Sequence, residues 1–534
     1  MGLSLLNDPR AFLGTDTGGK VATLRVMTER GHLDPDIGYW AERWDPTGRV
    51  HPLYYTSHFG HRWVNATTLP VLYAAYPLYA LGGYRLTLAL PMLGSVLSAL
   101  AARALARLLT SGPSDGWAAF WIVGLASPLT IYALDFWEHS LGVAAMAWAI
   151  VLLVDAVEAR RGWPAFLGAG ALFGAAATMR TEALVYGFVA VGGACLVLSV
   201  RRRPGLAVGG GALAAVGLAV PLLANSALEV ATVGETIRFS RAAGSASGAI
   251  AGVGGASGVA GTRLQEALLN AAALTPSLEP LPSLIGFGVL GLLAFVAWRA
   301  SRSGDVGPAV LAAAGVGALY LIRFAEGPGF VPGLVATTPL AAVGLVLGWR
   351  TAAGRFVCAV ALVALPLVWA SQFSGGAAPQ WAGRYLLVSG LLLGVAGIAG
   401  LERLRPWARA SVVGLAGVVT AFGMVWMSIR THDFAHALAA LNRRPEPVLV
   451  SRIGHLAREG GVFYGDHRWL SATNPADQRF AVHVLEEAGI RRFGLIEATD
   501  FRQDSPIAGW RQVGTDELEL VDGLQLTVTT FEAD

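Results

Sequence analysis

Lysine is almost missing from this chain: Lys20 is the only one, so nearly all of its positive charge is carried by arginine. Those arginines fall between hydrophobic segments instead of gathering on one basic face, which argues against a nucleic-acid partner. Cysteine is scarce as well. Cys195 and Cys358 both lie inside apolar runs, which points to packed free thiols and to neither a disulfide framework nor a cysteine-built zinc site. Charge of either sign is low, at 14% of 534 residues, while 54% are hydrophobic and the mean hydropathy is +0.54. Such a balance lies outside the soluble globular range and defines an integral membrane protein.

What is abundant is apolar sequence broken at regular intervals. A helix needs roughly 17 to 25 residues to cross a bilayer. Twelve stretches meet that length, near 84–108, 117–134, 140–156, 164–180, 183–200, 205–227, 282–299, 307–323, 332–349, 356–372, 385–402 and 410–428. The fourth and fifth are separated only by Met179 to Glu182, which leaves room for a tight hairpin.

Cytoplasmic loops hold an excess of Lys and Arg, and this orients the set. Alternate connections carry Arg160 and Arg161, Arg201 to Arg203, Arg299 and Arg302, Arg350 and Arg355, then Arg403, Arg405 and Arg409. These are the cytoplasmic side. The intervening connections, with Asp135 to His139, Arg180 to Glu182, residues 229–281, Arg323 to Phe330 and Ser371 to Arg384, then face outward, as do residues 1–83 and everything after about 430. The N-terminal sequence MGLSLLNDPRAFLGTDTGGK has no apolar core of a leader. A first membrane helix upstream of Met1, or one lost from this chain, is therefore expected and would bring the count to thirteen. Translocation of the tail by the first span is the alternative.

Three parts follow: an outer first loop with interfacial helices over 1–83, a transmembrane bundle over 84–428 with an outer loop at 229–281, and a soluble outer segment over 429–534. Residues 52–83 are rich in Tyr, Trp and His with apolar runs too interrupted to span, a composition suited to helices lying in the membrane interface. In the last part PVLVSRI, RRFGLIEA and GLQLTVTTFEA have the pattern of strands and PADQRFAVHVLEEAGI that of an amphipathic helix, giving a small α/β unit. The Gly, Ala and Ser run GSASGAIAGVGGASGVAGT in the outer loop is suited equally to a mobile flap and to disorder.

Polar residues of interest collect at the outer edge. The stretch SPLTIYALDFWEHSLG puts Asp135, Glu138 and His139 between two apolar passes, and ionisable groups near hydrocarbon mark reaction sites, ion pathways or helix caps. If helical, Asp135 and Glu138 share a face. Arg180, Arg323 and Arg384 stand on outward loops against the preference the other arginines obey. The planar fork of arginine matches two phosphate oxygens, although each could instead snorkel to lipid headgroups or pair with Glu182 or Glu326. Lys20 lies four residues after Asp16, and as a point charge it also suits a phosphate; a solvated lysine and a turn or capping aspartate are the alternatives. In the C-terminal part, Asp466, His467 and Arg468 form a polar loop able to touch a glycan.

With its TDTGGK outer loop, the SPLTIYALDFWEHSLG edge, the AAATMRTEALVY hairpin and GGAAPQWAGRYLLVSG before the eleventh span, the sequence resembles the multispanning glycosyltransferases of the C-type fold. It is similar in layout over most of residues 11–428 to protein mannosyltransferases and to the aminoarabinose and arabinofuranose transferases that use polyprenyl-phosphate sugars. The resemblance implies a helical polytopic bundle and transfer of a hexose or pentose from a polyprenyl-phosphate donor to an extracytoplasmic glycan, lipid or protein. It assigns the general base to Asp16, the acidic residue of the first outer loop. Glu138 is expected to join Asp16 in catalysis, with Lys20, Arg180, Arg323 and Arg384 on the donor phosphate and Asp135 and His139 holding the acceptor or supporting the base. Some such transferases bind a divalent metal through acidic residues of the first two outer loops, which here would be Asp16, Asp135 and Glu138; the spacing does not demand one.

No G-x-G-x-x-G element or P-loop occurs in the C-terminal part, so a lipid-linked donor suits the chain better than a nucleotide sugar. The expected setting is a bacterial plasma membrane, multi-pass, with the site outside. Two rival classes stay open: a transporter or flippase of lipid-linked sugars, which should carry ionisable groups at mid-membrane, and a non-catalytic envelope assembly protein.

Overall fold

The computed structural model describes residues 2–53, 55–65, 68–110, 116–158, 162–237, 333–371, 381–499, 507–519 and 525–534. Arg323, the spans expected at 282–299 and 307–323, and the outer loop from 238 to 281 lie outside the described residues.

After a 3₁₀ turn over Gly2–Leu6, helix α1 (Thr15–Arg30) ends on Gly31, whose left-handed φ of 68° lets its N–H reach the carbonyls of Met27 and Thr28. Part of the segment expected to form interfacial helices is instead a hairpin, β1 (Thr56–Phe59) with β2 (Arg62–Asn65), because alternating TSHF and RWVN flank a Gly60 turn at φ 64°. Helix α2 (Leu69–Thr87) follows, broken at Gly82 and Gly83.

The bundle comprises α3 (Ala89–Leu109), α4 (Trp117–Leu125), α5 (Pro128–Tyr132), α6 (His139–Val157), α7 (Trp163–Met179), α8 (Glu182–Val200), α9 (Pro204–Val233), α10 (Pro339–Leu347), α11 (Ala352–Ser371), α12 (Leu387–Gly400) and α13 (Pro406–Asn442). Six described helices are long and apolar enough to cross a membrane, which makes this a multi-pass membrane protein. The pass expected over 117–134 is two short helices: Ser127 caps α5 by accepting from the Leu129 N–H, and Pro128 at its first position cannot continue α4. The last expected pass is longer than its apolar core. Helix α13 runs for 37 residues, about 55 Å at 1.5 Å per residue, because no Gly or Pro interrupts the polar stretch to Asn442.

Glycine sets how closely the bundle packs. A Cβ on Gly170 or Gly174 of α7 would fall 2.1 and 2.4 Å from carbonyl oxygens of α9, so α7 and α9 approach backbone to backbone, as small residues spaced by four allow in membranes.

Beyond α13 stands a five-stranded sheet in the order β4-β3-β5-β7-β6, formed by β3 (Val448–Ser451), β4 (Arg468–Ser471), β5 (Arg492–Ala498), β6 (Trp510–Glu519) and β7 (Gln525–Ala533). The first three strands in spatial order are parallel and the last two pairings antiparallel. Helices α14 (Leu456–Glu459) and α15 (Pro475–Glu487) connect the parallel strands. Strands β4 and β6 escape the sequence pattern. The first is only four residues long, and WRQVGTDELE along the second is polar because it forms the solvated sheet edge.

Candidate active site

Asp16 sits in the first turn of α1, so TDTGGK opens a helix. Two adjacent glycines disfavour a helix by roughly 1 kcal/mol each. Their use is close approach: a Cβ on Gly18 would lie 1.8 Å from the backbone carbonyl oxygen of Arg458, and one on Gly19 2.2 Å from Oδ1 of Asn65. The start of α1 is thereby pressed against both the hairpin and the segment leading into the sheet.

The Asp16 carboxylate faces two guanidiniums. Arg384 donates from Nη1 to Oδ2 at 3.1 Å and Arg458 from Nη1 to Oδ1 at 3.2 Å. One helical turn on, Lys20 donates through Nζ to Oε2 of Glu138. The other oxygen of Glu138 lies 3.5 Å from Nη1 of Arg180, whose Nε donates to Glu182 at 2.9 Å. The rings and cations interleave, since Arg180 and Arg384 both stand 4.8 Å from the centre of the Tyr385 ring. Thus residues from α1, the α5–α6 loop, the α7–α8 hairpin, the entry to α12 and α14 form one network.

Local structure explains each position. Glu138 is the N-cap residue of α6, where the positive end of the helix favours a carboxylate. Arg180 and Thr181 alone separate α7 from α8, forming the tight hairpin expected there. Arg384 follows Gly383, which takes a left-handed φ of 60° and swings the guanidinium toward α1.

The exposure of the three paired carboxylates differs. The Asp16 side chain is 32% exposed, against 7% for Glu138 and 4% for Glu182. Burial works against ionisation of Asp16, but Arg458, Arg384 and Lys20 together outweigh it and hold the carboxyl well below its ordinary range. In Glu138 burial is likewise outweighed by Lys20 and Arg180, and the carboxyl is lowered to about 2. Asp135 goes the other way. It turns from the network to accept from the Tyr84 hydroxyl at 2.8 Å and its own neighbour's N–H, that of Phe136, at 2.9 Å, and burial pushes it up to about 6.

Residues 133–136 form a turn and 137–138 an irregular link, not a helix, so Asp135 and Glu138 diverge instead of sharing a face. His139 packs against Tyr132 and Trp137 at ring separations of 5.0 Å, with both ring nitrogens buried and lacking a hydrogen-bond partner among the described residues. A divalent metal does not fit the three carboxylates proposed for it. Asp16 and Glu138 are each engaged by two cations and Asp135 by Tyr84, and among the described residues no three His, Cys, Asp or Glu side chains gather to hold an ion. In the C-terminal part, Asp466 pairs with Arg25 at 3.0 Å and Arg468 stands over Trp40, both away from Asp16.

Sequence reasoning missed Arg458, Asn65 and Tyr385. Arg458 lies in the polar stretch HLAREGG, and a trace of its role is the glycine pair beside it: a Cβ on Gly461 would meet the carbonyl oxygen of Gly18 at 2.0 Å.

Neither a protein-family model nor a curated protein matches the chain. Solved structures similar to it include ArnT from Cupriavidus metallidurans bound to undecaprenyl phosphate, at 16% identity over 99% of this chain and 95% of that one, with a TM-score of 0.43. The oligosaccharyltransferase of Archaeoglobus fulgidus in complex with zinc and sulfate is similar at 12% identity over 92% of this chain and 66% of that one, with a TM-score of 0.47. The same archaeal enzyme tethered to an acceptor peptide containing the NVT sequon gives 11% identity, 92% and 65% coverage, and a TM-score of 0.48. Both proteins are glycosyltransferases of the C-type fold, the superfamily whose motifs this sequence resembles. At such identities and scores the chemistry of this chain is read from its own side chains.

Proposed function

We propose that this chain is a membrane glycosyltransferase that moves a sugar from a polyprenyl phosphate to an extracytoplasmic acceptor, with Asp16 as general base. The observation carrying this reading is the placement of Asp16, the most open carboxylate of the network, between two guanidiniums and one turn from Lys20. A glycosyl phosphate needs both elements: a carboxylate to take the acceptor proton and cations for the departing phosphate.

In the proposed step, an Asp16 oxygen accepts the proton of the acceptor hydroxyl while that hydroxyl oxygen forms a bond to the anomeric carbon. The bond from that carbon to the phosphate oxygen breaks with its electron pair, and polyprenyl phosphate leaves as the anion. A single displacement of this kind inverts the anomeric centre. Arg384 and Arg180 are the phosphate residues of this reading. Nη2 of Arg180 is buried with no hydrogen-bond partner among the described residues, a donor that a phosphate oxygen would satisfy. Lys20, being buried against Glu138, is assigned to holding that carboxylate and tuning Asp16. Residues 84–428 would form the bundle, with twelve or thirteen passes, and residues 429–534 an outer α/β domain.

The transporter reading is weaker, because Glu138, Arg180 and Glu182 sit at helix ends and not halfway along a pass. The test is transfer of radiolabelled sugar from defined polyprenyl-phosphate pentoses and hexoses by the purified protein. Asp16→Asn is expected to lower kcat by about 10²- to 10⁴-fold. Turnover retained in that variant would remove Asp16 from the role of base.

A further inference from the structure

Two cations of the network come from outside the bundle, Lys20 on α1 and Arg458 of the C-terminal segment. Arg458, on α14 beyond the long α13, is 1% exposed and is fixed from four sides. Its Nη1 donates to Asp16 at 3.2 Å and its Nη2 to Oδ1 of Asn65, at the end of β2, at 3.1 Å. The Tyr55 ring stands 5.4 Å from its guanidinium carbon, and its own backbone carbonyl abuts Gly18. Burying a guanidinium this completely is unfavourable unless its partners are held in place. Here they are: α1, β2 and α14 meet where only glycine fits at positions 18 and 461.

We propose that Arg458 is a positioning residue for the reaction, supplied by the C-terminal segment, which orients the Asp16 carboxylate and keeps it ionised while Arg384 turns to the donor phosphate. This rests on the reading of Asp16 as base. Two arginines on one carboxylate divide the work: if a phosphate draws Arg384 away, Arg458 still fixes the direction of Asp16 by its hydrogen bond and, with Lys20, its charge. The groups facing Asp16 are Arg458 from α14, Arg384 from the entry to α12, Lys20 on its own helix and Glu138 at the start of α6. Asn65 and Tyr55 contribute polar and aromatic surface around Arg458. Removing Arg458 takes away the largest of the cationic influences on Asp16 and leaves the opposing burial in place.

The experiment uses the full-length protein in nanodiscs, with radiolabelled polyprenyl-phosphate pentoses and hexoses as donors. The pH dependence of kcat/KM is compared for wild type, Arg458→Lys and Arg458→Gln. In parallel, infrared difference titration of the carboxyl band reads Asp16 directly, with Asp16→Asn identifying its signal. Arg458→Gln is expected to move the acid limb and the titration midpoint upward by a pH unit or more, so that activity at the wild-type midpoint falls at least about fivefold, mainly in kcat. Arg458→Lys should restore most of that shift, since it returns the charge. An unchanged acid limb and midpoint in Arg458→Gln would overturn the proposal. If Arg458→Gln does not fold, Asn65→Ala carries the test: loosening the guanidinium must lower kcat with KM within twofold, and wild-type kcat in that variant overturns it. The two readings fail separately. Turnover in Asp16→Asn defeats the base assignment, whereas loss in Asp16→Asn with a wild-type pH profile in Arg458→Gln defeats only the role of Arg458.

Discussion

Asp135 and Glu138 stand three residues apart and respond to pH in opposite ways. Glu138 is lowered to about 2 because Lys20 and Arg180 outweigh its burial, so its contribution to stability is present above about pH 4.5 and is lost as pH falls toward 2. Asp135 is raised by burial to about 6 from an ordinary value of 3.8, so its contribution is complete below that value and is lost as pH rises through 6. At neutral pH the ionised Asp135 therefore costs about 2 to 3 kcal/mol. Asp135→Asn keeps an acceptor for Tyr84 and Phe136 and removes that cost. Its melting temperature in detergent should exceed that of wild type at pH 8, with the gap about halved at pH 5 and closing only below the ordinary value of 3.8; equal temperatures at pH 8 and pH 5 would mean that Asp135 stays neutral or hydrated. Glu138→Gln should be the contrary case. It strands Lys20 and Arg180, whose side chains are 4% and 7% exposed, and the loss on breaking a buried pair from one side is about 3 to 5 kcal/mol. Thermal unfolding at pH 7.5 should reveal it as a marked fall.

Secondary elements show what the sequence could and could not reveal. Long apolar runs give α3, α6, α8, α9 and α13 close to their expected places, because hydrophobicity over about 20 residues leaves a helix few alternatives. The break at Ser127 and Pro128 was written in the sequence too, as a cap followed by a helix-breaking residue, but it lay inside an apolar run that masked it. Asp16, Lys20, Glu138, Arg180 and Arg384 were legible in the sequence as candidates, and their side chains meet in one charged network. Arg458 was not, since an arginine in a polar segment looks like any solvated arginine until tertiary packing buries it. Glycines 18 and 19 serve contact distance and not local flexibility. That distinction is testable. In an exposed helix Gly→Ala gains roughly 1 kcal/mol, and Gly414→Ala on α13, where an added Cβ meets nothing within 4 Å, should be neutral or stabilising. Gly18→Ala should instead destabilise by about 1 to 3 kcal/mol or more, because its Cβ would strike the Arg458 carbonyl oxygen, which is backbone and cannot rotate away. Melting curves of the two variants measured side by side decide the sign.

At the scale of the molecule, the two ends of the bundle differ in what they bring together. Glu138 at the start of α6, Arg180 after α7 and Glu182 at the start of α8 meet at one end. At the other, Arg201 after α8 donates to the Val157 carbonyl at the end of α6 and reaches Glu158 at 3.4 Å. The first end contains the proposed site and the second contains the arginine run 201–203, which the charge asymmetry of membrane loops assigns to the cytoplasm. If that orientation holds, exposed His483 on α15 faces outward and exposed Arg202 faces inward. With Cys195→Ser and Cys358→Ala as background, His483→Cys should react with a membrane-impermeant maleimide in intact spheroplasts, and Arg202→Cys only after the membrane is opened. The reverse pattern would turn the site toward the cytoplasm, where an acceptor of the cell envelope is not yet exported. It would leave the geometry around Asp16 intact while removing the extracytoplasmic acceptor from the proposed reaction.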